Sequence, residues 1–249
     1  MYIAEAHRKS RVFAAGLHSV AGRLDQTWYP AAFGDALSIF DMHLRPGPSD
    51  YPRPDCPQRP ASACPRAVNP GVTHRYYTGQ PVLPFGFGLS YTTFEYGLVA
   101  APAGPVSLDP LRRVVAHAAA ANRTFLARDQ LLAAAAAPLL EPAGLVRYQV
   151  SVTNTGLVDS DDAVLGFMRP PGAGEGGVPL QVLLGFSRVH VKAGRTELVE
   201  LYPETMLEFS QVGTDGRRYV LPGEYTVRIG VEETAALGGG FVEHTFTAV

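Results

Sequence analysis

Residues 145–249 alternate apolar and polar side chains in short runs broken by turn residues, which commits the C-terminal part of the chain to antiparallel β structure. The first run, Leu145-Val146-Arg147-Tyr148-Gln149-Val150-Ser151-Val152, puts every second side chain on a common face, as a half-buried strand requires. Asn154-Thr155-Gly156 then supplies the turn chemistry that ends it. Further strands are predicted at 163–168, 180–191, 195–202, 217–221, 224–231 and 241–247, with Pro222-Gly223 launching one and Thr234 to Gly240 forming a hairpin loop. In the run from Gly185 to Val191, the expectation is that Phe186, Val189 and Val191 enter the core and that Arg188 and His190 sit at the rim. Short strands at this spacing predict a two-sheet β-sandwich.

The stretch His74 to Tyr96, HRYYTGQPVLPFGFGLSYTTFEY, has a different character. Gly86 and Gly88 flank Phe87, and glycine permits the positive φ or close backbone approach that a bulky residue reaches only with strain. Phe85, Phe87, Tyr91, Phe94 and Tyr96 add wide aromatic faces, each able to bury ~150–250 Å². From Leu89 onward, Leu89, Tyr91 and Thr93 alternate with Ser90, Thr92 and Phe94, which predicts an extended strand. Residues Phe85, Gly86, Phe87, Gly88, Leu89, Ser90 and Tyr91 therefore read as an interdomain strap, in preference to a catalytic loop or a sugar-stacking platform.

Composition narrows the possible partners. A chain of 249 residues, 46% hydrophobic and 18% charged, can bury the core of one large or two small domains, while 21 prolines and 26 glycines make much of it turn and loop. A net charge of −2 provides no basic field for phosphate neutralisation, so nucleic acid is not an expected partner. No apolar run reaches the ~20 residues of a membrane span, and the patch Val12 to Leu17 is short for a secretory leader. The two cysteines, Cys56 and Cys64, lie in the proline-rich YPRPDCPQRPASACP and can be either a disulfide or two free thiols. Residues 97–143 carry alanine clusters at 118–121 and 133–137 between prolines, which predicts one or two helices in a surface insertion. Within it, Asn122-Arg123-Thr124 is an N-glycosylation acceptor, meaningful only in a secretory lumen.

No constellation carries chemistry. Asp159, Asp161 and Asp162 are expected in a solvated turn between strands, short of the oxygen count of a calcium site. Asp35, Asp41, Asp50 and Asp55 lack the apolar surroundings that raise a carboxyl pKa for acid catalysis. His74, His117 and His190 show no metal-ligand spacing, and phosphate-loop, dinucleotide and nucleophilic-serine motifs are missing, so no cofactor or metal is expected.

The strap resembles the pattern R-Y/F-Y-T-G-x-x-x-x-P-F-G-x-G-L-S-Y-T-x-F-x-Y of glycoside hydrolase family three, where it precedes a C-terminal fibronectin type III-like domain. AGRLDQTWYP at 21–30 is similar to N-P-G-G-R-L-P-x-T-W-Y-P, the final turn of that family's α/β-sandwich domain, with Asp25 and Gln26 replacing a Pro-hydrophobic pair. IFDMHLRP at 39–46 resembles the D-M-x-x-R-P element of the plant-type β-xylosidase branch. VTNTG, PLQVLLGFSRVHVKAG and DGRRYVLPGEYTVRIG resemble elements of the fibronectin-like domain. The resemblance implies a mainly β chain: residues 1–30 as a remnant of an α/β-sandwich domain, 31–91 as extended linker and strap, and 92–249 as an immunoglobulin/fibronectin type III-like sandwich with the Ala-rich helical insertion 97–143.

It further implies a retaining exo-β-glycosidase that releases terminal xylose or arabinose outside the cell or in the cell wall. The nucleophilic aspartate and acid/base glutamate of that family precede the part matched here. The chain alone is therefore expected to have no catalytic, substrate-binding or metal residue and no activity. Its implied partners are the catalytic domains in cis and cell-wall polysaccharide. The alternative reading is a stand-alone, non-catalytic carbohydrate-binding or adhesion module.

Overall fold

The computed structural model describes residues 22–57, 60, 63–121, 146–203, 207–213 and 215–249, and the backbone alone at His18, Ser19 and Met206. In chain order the strands are β1 (His18–Ser19), β2 (Gly47–Pro52), β3 (Arg66–Asn69), β4 (Phe94–Ala100), β5 (Tyr148–Asn154), β6 (Asp159–Arg169), β7 (Val182–Val191), β8 (Thr196–Leu201), β9 (Ser210–Val212), β10 (Arg218–Val220), β11 (Gly223–Gly230) and β12 (Phe241–Ala248). Helical segments are α1 (Ala32–Ala36), α2 (Thr73–Tyr76), α3 (Asp109–Ala120) and α4 (Glu232–Ala235).

Two sheets make the sandwich. One is the antiparallel set β4-β5-β8. In the other, β6 pairs with β7 and with β11, β11 pairs with β12, and β1 joins the start of β6 in parallel. The alternation read from the sequence becomes burial: Tyr148, Val150 and Val152 of β5 face inward toward Val164 and Met168 of β6 and Tyr225, Val227 and Ile229 of β11. Each such side chain contributes ~1.5–3 kcal/mol when fully removed from water. Tyr225 stacks on Phe246 at 5.6 Å, and Phe209 meets Tyr225 edge-on at 5.1 Å. The loop from β11 to β12 holds one helical turn, α4, and otherwise closes the expected hairpin.

β6 departs from alternation for a physical reason. Its run Ala163-Val164-Leu165-Gly166-Phe167-Met168 is covered on both faces: Val164 and Met168 lie in the core between the sheets, while Leu165 and Phe167 form a second cluster outside it with Val231 and Phe85. A strand covered on both sides reads as a continuous apolar run. Opposite it, β7 carries a bulge, since Gly166 pairs with Gly185 but Phe167 pairs with Leu183. The extra residue, Leu184, is buried and shifts the alternation of Gly185 to Val191 by one position, so Phe186 points to solvent, 72% exposed, and not into the core as expected.

The expectation of a purely decorative insertion is also corrected. β4 runs on through Gly97 to Ala100, and Val106 and Leu108 then bond to the C-terminal strand, Val106 N donating to Thr247 O (2.9 Å) and Leu108 N to Val249 O (2.6 Å). Pro110 sits in the first turn of α3, where its missing N–H costs nothing. Leu111, Val114 and Ala118 form a stripe at helical spacing that joins Leu108 in burial, with Leu108 and Leu111 wholly excluded from solvent. The first half of the insertion thus plugs the sandwich. Asn122 and the alanine cluster at 133–137 lie outside the described residues.

Candidate interdomain strap

The strap is held from both sides. Upstream, Leu24 to Trp28 runs antiparallel to Leu83–Phe87: Leu24 N donates to Phe87 O (2.8 Å), Gly86 N to Leu24 O (2.8 Å), Trp28 N to Leu83 O (2.9 Å) and Val82 N to Trp28 O (2.8 Å). Beneath it, Phe85 packs edge-on to Phe167 (6.0 Å) and against the His74 ring (4.4 Å). This buries one face of the His74 imidazole, and burial, with a smaller contribution from the charge of Arg75, lowers its pKa to about 4.

Both glycines are obligatory for different reasons. Gly86 has φ +82°, and a β-carbon there would come 2.5 Å from Leu165 Cδ1. A β-carbon on Gly88 would run into the carbonyl oxygen of Gly22, so the close crossing of strap and upstream segment admits no side chain.

Two polar staples fasten the crossing. In the first, Asp162 is 1% exposed; Arg23 Nη2 donates to its Oδ1 (2.7 Å) and the Tyr96 hydroxyl to its Oδ2 (2.6 Å). Burial, then the neighbouring Asp162 charge, raises the Tyr96 pKa well above the ordinary phenol value, so this hydroxyl stays a donor. In the second, the Thr92 hydroxyl donates to Asn154 Oδ1 (2.6 Å), while Asn154 Nδ2 donates to the carbonyls of Val158 (2.8 Å) and Val191 (3.0 Å). Asn154 is fully buried. It links strap, turn and β7, beyond the strand-ending role that its neighbours in sequence imply.

The expectation of a solvated aspartate turn is corrected by the strand itself. β6 already begins at Asp159, so Asp159 and Asp161 share one face of a strand and Asp162 lies on the other. Asp159 Oδ1 accepts from Ala193 N (2.8 Å), Asp161 pairs outside with Arg188 (3.0 Å) and His190 (2.7 Å), and Asp162 turns inward. Asp50 and Asp55 form exposed pairs with Arg66 and Arg53. Among the described residues no group of three His, Cys, Asp or Glu side chains is placed to hold a metal ion.

The strap residues themselves divide. Phe85, Gly86, Phe87, Gly88 and Ser90 lie against the sandwich or the upstream segment, whereas Leu89 and Tyr91 are exposed, and regular pairing starts only at Phe94. The inward set is Thr92, Phe94 and Tyr96. Further upstream the apolar side chains Ile39 (86% exposed), Met42 (85%), Phe40 and Leu44 also face solvent, and Trp28 is half exposed. Cys56 and Cys64 are joined in a disulfide with Cα atoms 5.9 Å apart, in the loop between β2 and β3.

A family model described as a fibronectin type III-like domain matches residues 162–233. A probable exo-1,4-beta-xylosidase of Aspergillus japonicus is 32% identical over 226 residues, which are 89% of this chain and 24% of that protein. An exo-1,4-beta-xylosidase of Emericella nidulans is 32% identical over 219 residues, 88% of this chain and 23% of that one. Probable beta-D-xylosidase 6 of Arabidopsis thaliana is 29% identical over 213 residues, with coverages of 84% and 24%. Among solved structures, a GH3 exo-beta-xylosidase in complex with a xylobiose aziridine activity-based probe superposes with a TM-score of 0.63 at 26% identity, covering 93% of this chain and 25% of that one. The chain spans about a quarter of the length of the curated relatives it matches.

Proposed function

We propose a bracing role, from the premise that this chain belongs to glycoside hydrolase family three and matches the C-terminal part of its β-xylosidases. The fibronectin type III-like sandwich packs in cis on the catalytic domains, and the strap holds the last turn of the preceding domain to it. The observation that carries this reading is the asymmetry of residues 22–91: one side is stapled to the sandwich through Arg23, Phe85 and Thr92, while Ile39, Phe40, Met42 and Leu44 present an apolar side that awaits a cover.

The complete enzyme, on this reading, hydrolyses terminal β-xylosyl residues with retention, using two carboxylates ~5–5.5 Å apart that form and break a glycosyl-enzyme bond. No residue of this chain is assigned to that pair, and the reaction calls for no cofactor. A disulfide at Cys56–Cys64 suits an oxidising compartment, which supports an extracellular or cell-wall setting and a place in xylan catabolism.

Two measurements test the proposal. The transcript upstream of Met1 is expected to encode, in frame, a barrel and an acid/base loop; a genuine in-frame stop there overturns the bracing role. The 249-residue chain alone is expected to release no nitrophenol from a nitrophenyl β-xyloside above the blank. Turnover by that chain would place catalytic groups where none is assigned.

A further inference from the structure

We propose that the cleft between α2 and the β9–β10 hairpin binds a carboxylate-bearing sugar of the hexuronate kind. Its volume is about 590 Å³, within the ~300–1,000 Å³ of ordinary small-molecule sites and ample for a sugar ring. Three guanidinium groups converge on it from three parts of the chain: Arg45 from the segment before β2, Arg75 from α2 and Arg218 from β10. Among the described residues none of the three has a carboxylate oxygen within ion-pair distance; Glu208, the acidic side chain on the cleft wall, acts on Arg218 through its charge, so three guanidiniums face one carboxylate. Cation is in excess, and an anion is the missing complement.

The arginines are positioned and not floating. Arg45 Nη2 donates to Val212 O (2.6 Å), Arg218 Nη1 donates to Ser210 Oγ (2.9 Å), and the Arg45 and Arg75 guanidiniums lie 5.9 and 5.4 Å from the Tyr76 ring centre. Arg218 Nε and Gln211 Oε1 are buried without a hydrogen-bond partner, one a donor for a carboxylate and the other an acceptor for a hydroxyl. A planar fork of N–H groups matches a carboxylate with two parallel bonds, and Gln211 Oε1, an acceptor elsewhere on the cleft wall, suits a hydroxyl of a sugar acid. The proposal stands independently of the bracing role, because it uses only groups of this chain.

Titration calorimetry on the 249-residue chain with sodium glucuronate, glucose and inorganic phosphate as separate probes tests it. Glucuronate is expected to bind, with glucose and phosphate each at least about tenfold weaker. Arg75→Gln, an exposed substitution, and Arg218→Gln are each expected to weaken glucuronate about tenfold or more at unchanged circular dichroism. Absence of glucuronate binding, or binding unaltered in both variants, overturns the site. Phosphate binding as well as glucuronate overturns the saccharide assignment.

Discussion

In the sandwich, inward side chains of one sheet meet inward side chains of the other, and α3 plugs the remaining opening; the main core cluster is drawn from residues 94–248. In residues 22–91 the order comes from elsewhere. Backbone pairing with the strap, a glycine crossing and two polar staples hold the segment, while Ile39 and Met42 lie open. The sandwich is a core with its own reasons to fold, and the upstream segment is a surface fastened to that core.

The sharpest way to break this comparison is Asp162→Ala, which deprives Arg23 and Tyr96 of their shared partner; removing one member of a buried charged pair costs ~3–5 kcal/mol. Urea unfolding should show that loss, and hydrogen exchange should quicken in residues 22–30 before it does in β5. Leu111→Ala comes next. If α3 belongs to the core, the substitution costs ~2–5 kcal/mol in thermal unfolding, whereas a decorative helix would tolerate it almost freely.

Gly88→Ala separates the two regions more finely. The new methyl meets the Gly22 carbonyl and is expected to cost ~1–3 kcal/mol, read as faster exchange of the upstream segment with β11 and β12 protection unchanged. Loss of protection throughout would mean that the two regions unfold as one. A smaller effect comes from His74. Its folded pKa of about 4 lies below the ordinary imidazole value of 6.5, so between those values the unfolded chain binds a proton that the folded chain does not. Stability at this site is complete above pH 6.5 and is lost as pH falls toward 4; His74→Gln should flatten that part of a urea-midpoint profile. The smallest expected change is Arg228→Ala, which removes an exposed pair with Glu243 and should shift stability by less than ~1 kcal/mol.

The features legible in the sequence were the local ones. Period-two alternation announced β5, and Pro222-Gly223 announced β11, because strand burial and turn geometry are written in neighbouring residues. The partners that exclude a side chain at Gly86 and Gly88, Leu165 and Gly22, lie far off in sequence and were not legible there. The features that escaped depended on distant partners. Nothing near Asp162 reveals that Arg23, 139 positions earlier, comes to meet it, so a buried anion looked like a hydrated turn. Phe186 faces outward because one residue, Leu184, is added to β7 opposite β6, and a bulge leaves no mark in an apolar run. The stripe Leu111, Val114 and Ala118 was hidden among alanines that fit an exposed helix equally well. Arg45, Arg75 and Arg218 were isolated charges until the fold gathered them around one cleft.

Asp162 also has a consequence for the order of events at the ribosome. Arg23 leaves the exit tunnel long before the strand that carries its carboxylate partner, so the earlier part of the polypeptide must wait for the last part before this lock can close. A carboxylate sealed in a sandwich without its guanidinium would be an expensive guest. Folding of the sandwich thereby creates the anchor on which the earlier segment docks.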